Sequence, residues 1–482
     1  MNVAMPPKKT LTAKNLEALG VERLAELLIE IGDTNAAVKR RLRFELAGAQ
    51  SPTEVAREIR KRLKVIARAR SFVDWQNRRG LVEDLQTQRR AIVDHVGKTD
   101  PKEALDLMWG FMALASSIFA RCDDSSGTVI DIFHEAVNDL GRLAEVAKGD
   151  TTELADRAFQ ALLDNDYGQF DHLIPTLSAA LGDAGLEHLK QRFLALSKEP
   201  VIKLAEHERR KIGWSTDGPI YEDEVANRHR VHVIDIALRD IADAQGDVDA
   251  FIAQYDPEKR KVSRIAAEIA ERLLAAGRAA EALKALEAAE HRRSGWPEFE
   301  WEDARIAALD ALERSNDAQS ARWSCFERFL SERHLRDYLK RLPDFEDIEA
   351  ENGALDYAEN FANFSAALMF LASWPAVDRA AKLVLARAEE LNGDHYELLS
   401  PIANALADKH PLAATVALRA MIEICLDRAR SSRYKHAARH FQECASLASS
   451  IAEFGKWETH ETFAARIRGK HGKKSSFWGL VT

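Results

Sequence analysis

Apolar residues recur every three or four positions through most of the chain, and charged residues fill the positions between them. In residues 52–70 the apolar side chains fall on one stripe of a helix, formed by Val55, Ile59, Leu63 and Ile66. Ser51 can accept hydrogen bonds from free backbone amides, Pro52 suits the first helical position, and Glu54 completes a capping box. The pattern therefore predicts a helix that begins with Ser51 as its cap.

The same period predicts helices along the rest of the chain. The predicted ranges are 15–31, 72–95, 128–147, 151–165, 168–182, 186–197, 335–342, 353–371, 375–391, 395–408, 412–429, 434–453 and 458–469. A further helix starts in "TDPKEALDLMWGFM", with Thr99 or Asp100 as its cap. No segment predicts a strand, and glycine (23) and proline (13) are scarce for a protein of strands and tight turns. The predicted fold class is all-α.

The C-terminal half shows a repeated pattern of paired helices. Predicted turns at Gly246, Gly277 and Asn316 each precede a helix rich in small residues. One of these segments, "AGRAAEALKALEAA", resembles a tetratricopeptide repeat. We therefore predict helical-hairpin repeats, in a tetratricopeptide-like solenoid, for the C-terminal half, and a helical bundle or repeat for the N-terminal half.

Turn-forming residues interrupt the helical pattern between Pro200 and Pro219, where Gly213 and Gly218 also lie. Such a cluster is typical of a domain boundary or a long connection. The chain is therefore predicted to have five parts. They are a flexible basic tail (1–14), an N-terminal helical domain (15–199), a connection (200–220), a tetratricopeptide-like repeat domain (221–470) and a basic, aromatic C-terminal tail (471–482).

The composition of the chain argues against several classes of protein. A net charge of -9 argues against a surface covered by nucleic acid, although it leaves room for a local basic site. The four cysteines are far apart and form no CxxC, which argues against a disulfide framework or a zinc finger and favours a reducing cytoplasm. The longest apolar run, residues 108–120, is too short to cross a membrane, and the N-terminus has no signal-peptide core. We expect a cytoplasmic protein with no membrane partner.

Positive charge is concentrated between Lys39 and Arg79, where thirteen Lys or Arg residues face only four acidic residues. Four of the cations follow helical spacing on the side of the 52–70 helix away from its apolar stripe: Arg57, Lys61, Lys64 and Arg68. These four residues, called the basic ridge below, are the candidate site for a protein partner or for phosphate groups.

Two interpretations of the basic ridge stay open. It can contact nucleic acid, although no aromatic residues interleave with it as they do in single-strand binders. Alternatively it is a solvated helix face that pairs with acidic surface in the same chain or in another copy. Suitable acidic stretches exist in "WPEFEWEDA" and "DFEDIEAE".

The stretch "SSRYKHAARHFQECASLASSIAEF" places His436, His440 and Cys444 four residues apart, a spacing that zinc ligands on a helix can have. Cys444, however, also belongs to an apolar stripe with Tyr434, Ala437, Phe441, Ala448 and Ile451, where a thiol acts as a small hydrophobic group. Only Cys425 could add a nearby thiol. We therefore predict packing here, with no metal and no cofactor.

Two aromatic clusters allow similar alternatives. Phe477, Trp478 and Leu480 near the C-terminus either dock on the last helices as a cap, which we favour, or form a peptide that binds a partner. Trp296, Phe299 and Trp301 either line a groove or form the packing face of a helix, and we favour packing.

Two regions carry a resemblance to known families. The segments "LEALGVERLAELLIEIGDTNAAVKRRLRFELAGA" and "VAREIRKRLKVIARARSFVDW", with "RYKHAARHFQECASLASSIAEF" and "HGKKSSFW", resemble a bacterial family known only as a domain of unknown function. The C-terminal part is also similar to the helical region that accompanies SWIM-type zinc fingers. The finger pattern CxCxnCxH is absent. The resemblance implies a helical, bacterial, cytoplasmic protein and no activity.

The expected function is a non-enzymatic helical-repeat interaction or scaffold protein that binds an unidentified protein partner. Phosphate-binding loops, nucleophile elbows and zinc-protease motifs are all absent from the sequence. Nucleic-acid association through residues 39–79 is the alternative, and an enzyme with an unrecognised site is the second alternative.

Overall fold

The computed structural model describes residues 11–34, 38–39, 41–43, 46, 52–200, 204–205, 207–216, 218–289 and 297–481. The chain divides into two compact units, Met1–Asp256 and Pro257–Thr482. The connection predicted at 200–220 lies inside the first unit. Ser51, Trp296 and most of the predicted N-terminal tail lie outside the described residues.

The first unit is built from helices and one β-hairpin. Its elements in chain order are α1 Ala13–Glu17, α2 Val21–Thr34, α3 Pro52–Arg68, α4 Arg78–Ala91 with a π-helical extension Ile92–Val96, α5 Pro101–Met112, α6 Ala115–Phe119, α7 Thr128–Ala147, α8 Thr151–Leu163, α9 Leu173–Lys198, β1 Lys211–Ser215, β2 Gly218–Tyr221, α10 Glu222–Ala244 and α11 Val248–Ala253. The positive φ of Gly182 breaks α9 into two helical segments, as the sequence predicted.

The apolar stripe of α3 lies in the core of this unit, as its spacing predicts. Val55 and Ile59 are fully buried, and Leu63 and Ile66 are nearly so. The helix begins at Pro52, and α5 is capped by Asp100, whose side chain accepts a hydrogen bond from the Glu103 amide at 3.0 Å. This orientation of α3 turns the basic ridge toward solvent.

The expectation that the chain contains no strand was wrong at residues 211–221. β1 and β2 pair antiparallel, with Trp214 opposite Pro219 and Ser215 opposite Gly218. Gly218 has φ +126°, a conformation that a side chain disfavours, and it supplies the tight reversal. The Asp–Gly pair at 217–218, with apolar residues on both sides, is a hairpin signal in the sequence.

The helix predicted at 72–95 begins only at Arg78, because the residues before it pair with another segment. Val73 forms a parallel β-bridge with Cys122. The Val73 amide donates to the Arg121 carbonyl at 2.8 Å, and the Val73 carbonyl accepts from the Asp123 amide at 3.0 Å. These hydrogen bonds hold the backbone extended, so a helix cannot form there.

The described residues of the second unit form helices joined by turns and loops, with no strand among them. Its helices are α12 Ser263–Ala275, α13 Ala279–Glu287, α14 Phe299–Ala311, α15 Ser315–Phe329, α16 Glu332–Leu339, α17 Glu346–Glu359, α18 Phe364–Ser373, α19 Val377–Ala386, α20 Tyr396–Leu406, α21 Pro411–Asp427, α22 Tyr434–Ala448, α23 His460–His471 and α24 Ser475–Val481. The single helix predicted at 353–371 is two helices, because the Asn363 side chain caps a new one by accepting from the Ala366 amide.

The predicted turns hold in part. Gly246 and Gly277 have φ values of +66° and +74°, which a turn glycine adopts easily. Asn316 instead lies in the first turn of α15. In the connection before α15, the residue with a left-handed backbone conformation is Glu313, with φ +57°. The predicted turn was therefore misplaced by three residues.

Described aromatic residues of both clusters pack, whereas Leu480 of the C-terminal cluster is 45% exposed. Phe477 is fully buried and lies 5.9 Å from the Tyr434 ring, while the Trp478 indole donates to the His471 carbonyl. Trp301 is buried and donates to the Leu286 carbonyl at 3.1 Å. The expected C-terminal cap is confirmed for Phe477 and Trp478. Across the described residues, no helix combines the length and apolar character needed to cross a membrane.

Candidate partner-binding surface

The first half of the basic ridge is already paired with acidic residues of the same helix. Arg57 forms an ion pair with Glu54, and the Lys61 ammonium donates to Glu58 at 2.7 Å. The hydrogen bond from Lys61 holds the pKa of the Glu58 carboxyl below its usual range. Such i,i+3 pairs on an exposed face leave little charge for a partner.

Two further cations of α3 fasten it to its neighbours. Arg60 forms an ion pair with Glu103 at the start of α5. The Arg62 guanidinium donates from Nε at 2.8 Å to Asp84, a carboxylate on α4 that is almost fully buried. These cations stabilise the packing of three helices, so they are not part of an open binding face.

The second half of the ridge is open. Lys64 and Arg68 are exposed, and so is Arg70 just after the helix. Within the ranges that the structure describes, none of the three forms an ion pair or a side-chain hydrogen bond. The unneutralised charge of α3 is therefore concentrated at its C-terminal end.

Two large aromatic side chains follow these cations directly. Phe72 is 68% exposed and Trp75 is 66% exposed. Full burial of a side chain as large as Phe is worth about 1.5–3 kcal/mol, so leaving both in water forgoes a substantial stabilisation. We call Lys64, Arg68, Arg70, Phe72 and Trp75 the basic–aromatic surface.

Hydrogen bonds fix the loop that carries the aromatic residues. Besides the Val73 bridge, the Arg121 guanidinium donates to the carbonyls of Ser71 at 3.3 Å and Ile66 at 3.4 Å. The Asp74 carboxylate accepts from the backbone amide of Asn77 at 2.9 Å. The loop is therefore held in a conformation that displays Phe72 and Trp75.

An apolar groove of about 280 Å³ opens between α3 and α5, with Lys64 at its edge. Its apolar lining consists of Leu63, Ala67, Leu107, Gly110, Ala113 and Leu114. A Cβ at Gly110 would be 3.8 Å from the nearest Leu63 methyl carbon, so the missing side chain leaves open space. The groove can accept an apolar side chain of a bound segment.

The sequence predicted two of the five residues of this surface. It placed Phe72 and Trp75 inside a helix and found no aromatic residue interleaved with the ridge. The structure places both at the ridge's end, in a loop. The signal was the stretch "SFVDW", in which Val73 continues the apolar stripe of the preceding helix but Phe72 and Trp75 would fall on its opposite side.

The histidine and cysteine side chains of α22 do not converge. Cys444 is fully buried, His440 is buried with Nδ1 2.9 Å from Glu443, and His436 is exposed. Burial raises the pKa of the Cys444 thiol to about 12, which disfavours the thiolate that zinc requires. Across the part of the chain that the structure describes, no three His, Cys, Asp or Glu side chains form a group that could hold a metal ion.

Comparison with known proteins gives one family and no curated relative. No curated protein matches the chain significantly. The model of a family of unknown function, DUF6880, matches residues 6–480, which is nearly the whole chain. The chain therefore belongs to the DUF6880 family of unknown function.

Proposed function

We propose that this protein is a non-enzymatic interaction protein whose first unit binds an acidic, partly apolar segment of a protein partner through the basic–aromatic surface. The observation that carries the proposal is the juxtaposition of three unneutralised cations with two exposed aromatic side chains on a fixed loop. Trp, Tyr and Arg are enriched among the residues that contribute most to the binding energy of protein interfaces.

The groove beside Lys64 adds a place for an apolar anchor. An acidic segment that follows the exposed end of α3 would bring carboxylates to Lys64 and Arg68 and one apolar side chain to the Gly110 groove. Because the loop is already ordered, binding would not incur the entropy loss of fixing it.

The second unit fits a scaffold role. The left-handed turn glycine Gly277 and the short helices α12 and α13 on either side of it support a tetratricopeptide-like arrangement. The similarity to the helical region beside SWIM-type zinc fingers and a bacterial cytoplasmic setting belong to the same proposal.

Single-stranded nucleic acid is the second candidate, because exposed aromatic residues next to free cations can also stack bases and contact phosphates. The paired state of Arg57 and Lys61 favours the protein partner, since it shortens the cationic track to the end of α3. The net charge of -9 points in the same direction.

The test measures binding of a fluorescent glutamate–leucine peptide and of fluorescent oligothymidine by anisotropy across a salt series. Two double variants are compared, Lys64→Gln/Arg68→Gln and Arg57→Gln/Lys61→Gln. They are matched because each removes one Lys and one Arg, four residues apart, from the same helix. We expect the peptide to bind the wild type, about tenfold weaker binding to the Lys64/Arg68 variant, and less than about twofold change in the Arg57/Lys61 variant.

A Phe72→Ser/Trp75→Ser variant tests the aromatic half of the surface, and the expected loss of peptide affinity is again about tenfold. Circular dichroism confirms the folding of each variant. Equal losses in the two charge variants, or no binding of the peptide to the wild type, would refute the proposal. Oligothymidine binding that exceeds peptide binding and falls steeply with salt would establish the nucleic-acid candidate instead.

A further inference from the structure

A second charged region lies in the second unit, around a cavity of about 250 Å³. The cavity is bordered by the loop before α20, the C-terminal end of α21 and the first turns of α22. Its polar lining includes Tyr396, Arg430, Arg433, His436, Arg439 and His440. Met421 and Ile424 of α21 give it an apolar wall.

Three guanidinium groups surround the Asp394 carboxylate, which itself lines the cavity. Arg430 lies against both oxygens of Asp394, at 2.8 and 3.0 Å. Arg433 approaches the same carboxylate at 3.8 Å, and Arg428 forms a third ion pair with it from outside the cavity. The two guanidinium groups of this cluster that line the cavity, those of Arg430 and Arg433, exceed the one Asp394 carboxylate by one positive charge.

The position of Asp394 is fixed by its neighbours in the chain. The Asn392 side chain accepts a hydrogen bond from the Asp394 amide at 3.1 Å. Gly393 lies so close to α21 that a Cβ there would overlap the Ala420 carbonyl. Asp394 therefore holds Arg430 in place at the edge of the cavity, while Arg433 lies beyond hydrogen-bond distance of the same carboxylate.

Other side chains of the lining add an aromatic face and further nitrogen atoms that can form hydrogen bonds. The Arg433 guanidinium stacks on the Tyr396 ring at 4.4 Å. His436 is exposed and makes no hydrogen bond or ion pair within the described ranges. Arg439 shares Glu443 with His440, at 3.4 and 2.9 Å, so that carboxylate is divided between two partners.

We propose that this cavity binds the phosphate group of a small phosphate monoester. Guanidinium groups present paired N–H donors that match phosphate oxygens. Arg430 is held by Asp394 and Arg433 stacks on Tyr396, so both are positioned in advance of binding. The stacked pair Tyr396–Arg433 and the apolar wall would contact the organic part of the ligand. The inference does not depend on the basic–aromatic surface, which belongs to the other unit.

The experiment uses the full chain with inorganic phosphate, glucose 6-phosphate and adenosine monophosphate, measured by isothermal calorimetry and by thermal unfolding. Potassium chloride at equal ionic strength is the control for salt effects. We expect at least one phosphate compound, at about 10 mM, to raise the unfolding temperature by about 2 °C or more, since a ligand that binds only the folded state stabilises it.

Arg433→Gln and Arg428→Gln form a matched pair of variants. Both arginines contact Asp394, but only Arg433 lines the cavity. We expect Arg433→Gln to weaken phosphate binding at least about tenfold and Arg428→Gln to change it less than about threefold. If Arg433→Gln does not fold, Arg439→Gln takes its place. A lack of response to all three compounds, a response equalled by chloride, or equal losses in both variants would overturn the proposal.

Discussion

The two basic regions of this protein differ in how their charges are arranged. The ridge on α3 is dense in sequence, yet half of it is neutralised by glutamates one turn away, and its free cations point into solvent. The arginines around Asp394 are less conspicuous in the sequence but converge in space on one largely buried carboxylate. Density of charge along a chain is therefore a poor guide to concentration of charge in the fold.

The largest effect that separates the two regions should come from removing a carboxylate. Asp394→Asn leaves three guanidinium groups without their shared partner, and we expect it to lower the free energy of unfolding by about 2–3 kcal/mol. Glu58→Gln on α3, whose ion pair with Lys61 is exposed on both sides, should cost about 0.5 kcal/mol or less. Urea unfolding of both variants measures the difference, and comparable losses would show that the two regions are energetically alike.

A pair of glycine variants should give effects of opposite sign. Gly393→Ala places a methyl group against the Ala420 carbonyl and 2.9 Å from Ile424, so we expect a loss of about 1–3 kcal/mol. Gly110→Ala on α5 meets only Leu63 at 3.8 Å and should gain about 0.5–1 kcal/mol from helix propensity. Thermal unfolding compares them. A stable Gly393→Ala would show that the loop before α20 can move away from α21.

The local pattern of apolar residues predicted most helices of this protein. It failed where contacts with a distant segment determine the backbone conformation. The stripe from Val55 to Ile66 is buried as its spacing requires. The segment before Arg78 has helical periodicity too, but hydrogen bonds to residues 121–123 make it extended. Periodicity reports only which side chains share a face, and it carries no information about a partner segment fifty residues away.

The same limit applies to the candidate sites. Membership of the basic ridge followed from helical spacing. The pairing of Arg57 and Lys61 with glutamates three residues before them was not predicted, although the same spacing contains it. The convergence of Arg430 and Arg433 on Asp394 joins residues more than thirty positions apart, which no spacing rule contains. The histidine spacing around His436 suggests zinc, whereas the arginines of the same stretch are the residues that converge in the fold.

The difference between buried and exposed polar groups also predicts how the free energy of unfolding depends on pH. This is the smallest of the expected effects. Burial lowers the pKa of His334. The Asp303 carboxylate, 3.0 Å from the Nε2 atom of the ring, acts in the opposite direction but does not offset the effect of burial. Burial also lowers the pKa of His460, and Arg419 adds to the shift.

Both rings favour the neutral form in the folded chain. Below the unfolded-state histidine pKa of about 6.5, the unfolded chain binds protons that the two buried rings of the folded chain do not bind. The contribution of the two neutral rings to the free energy of unfolding is therefore complete above that pH. It is lost as pH falls toward the folded-state pKa values. We expect a decrease of about 1 kcal/mol between about pH 7.5 and 5.5, measured by urea unfolding, and a smaller decrease in His334→Gln/His460→Gln. His436→Gln, which removes an exposed ring of the same unit, is the control. A pH dependence that persists unchanged in the double variant would assign it to other titratable groups, such as the buried histidines His440 and His471, and the comparison between buried and exposed groups would then rest on Asp394 alone.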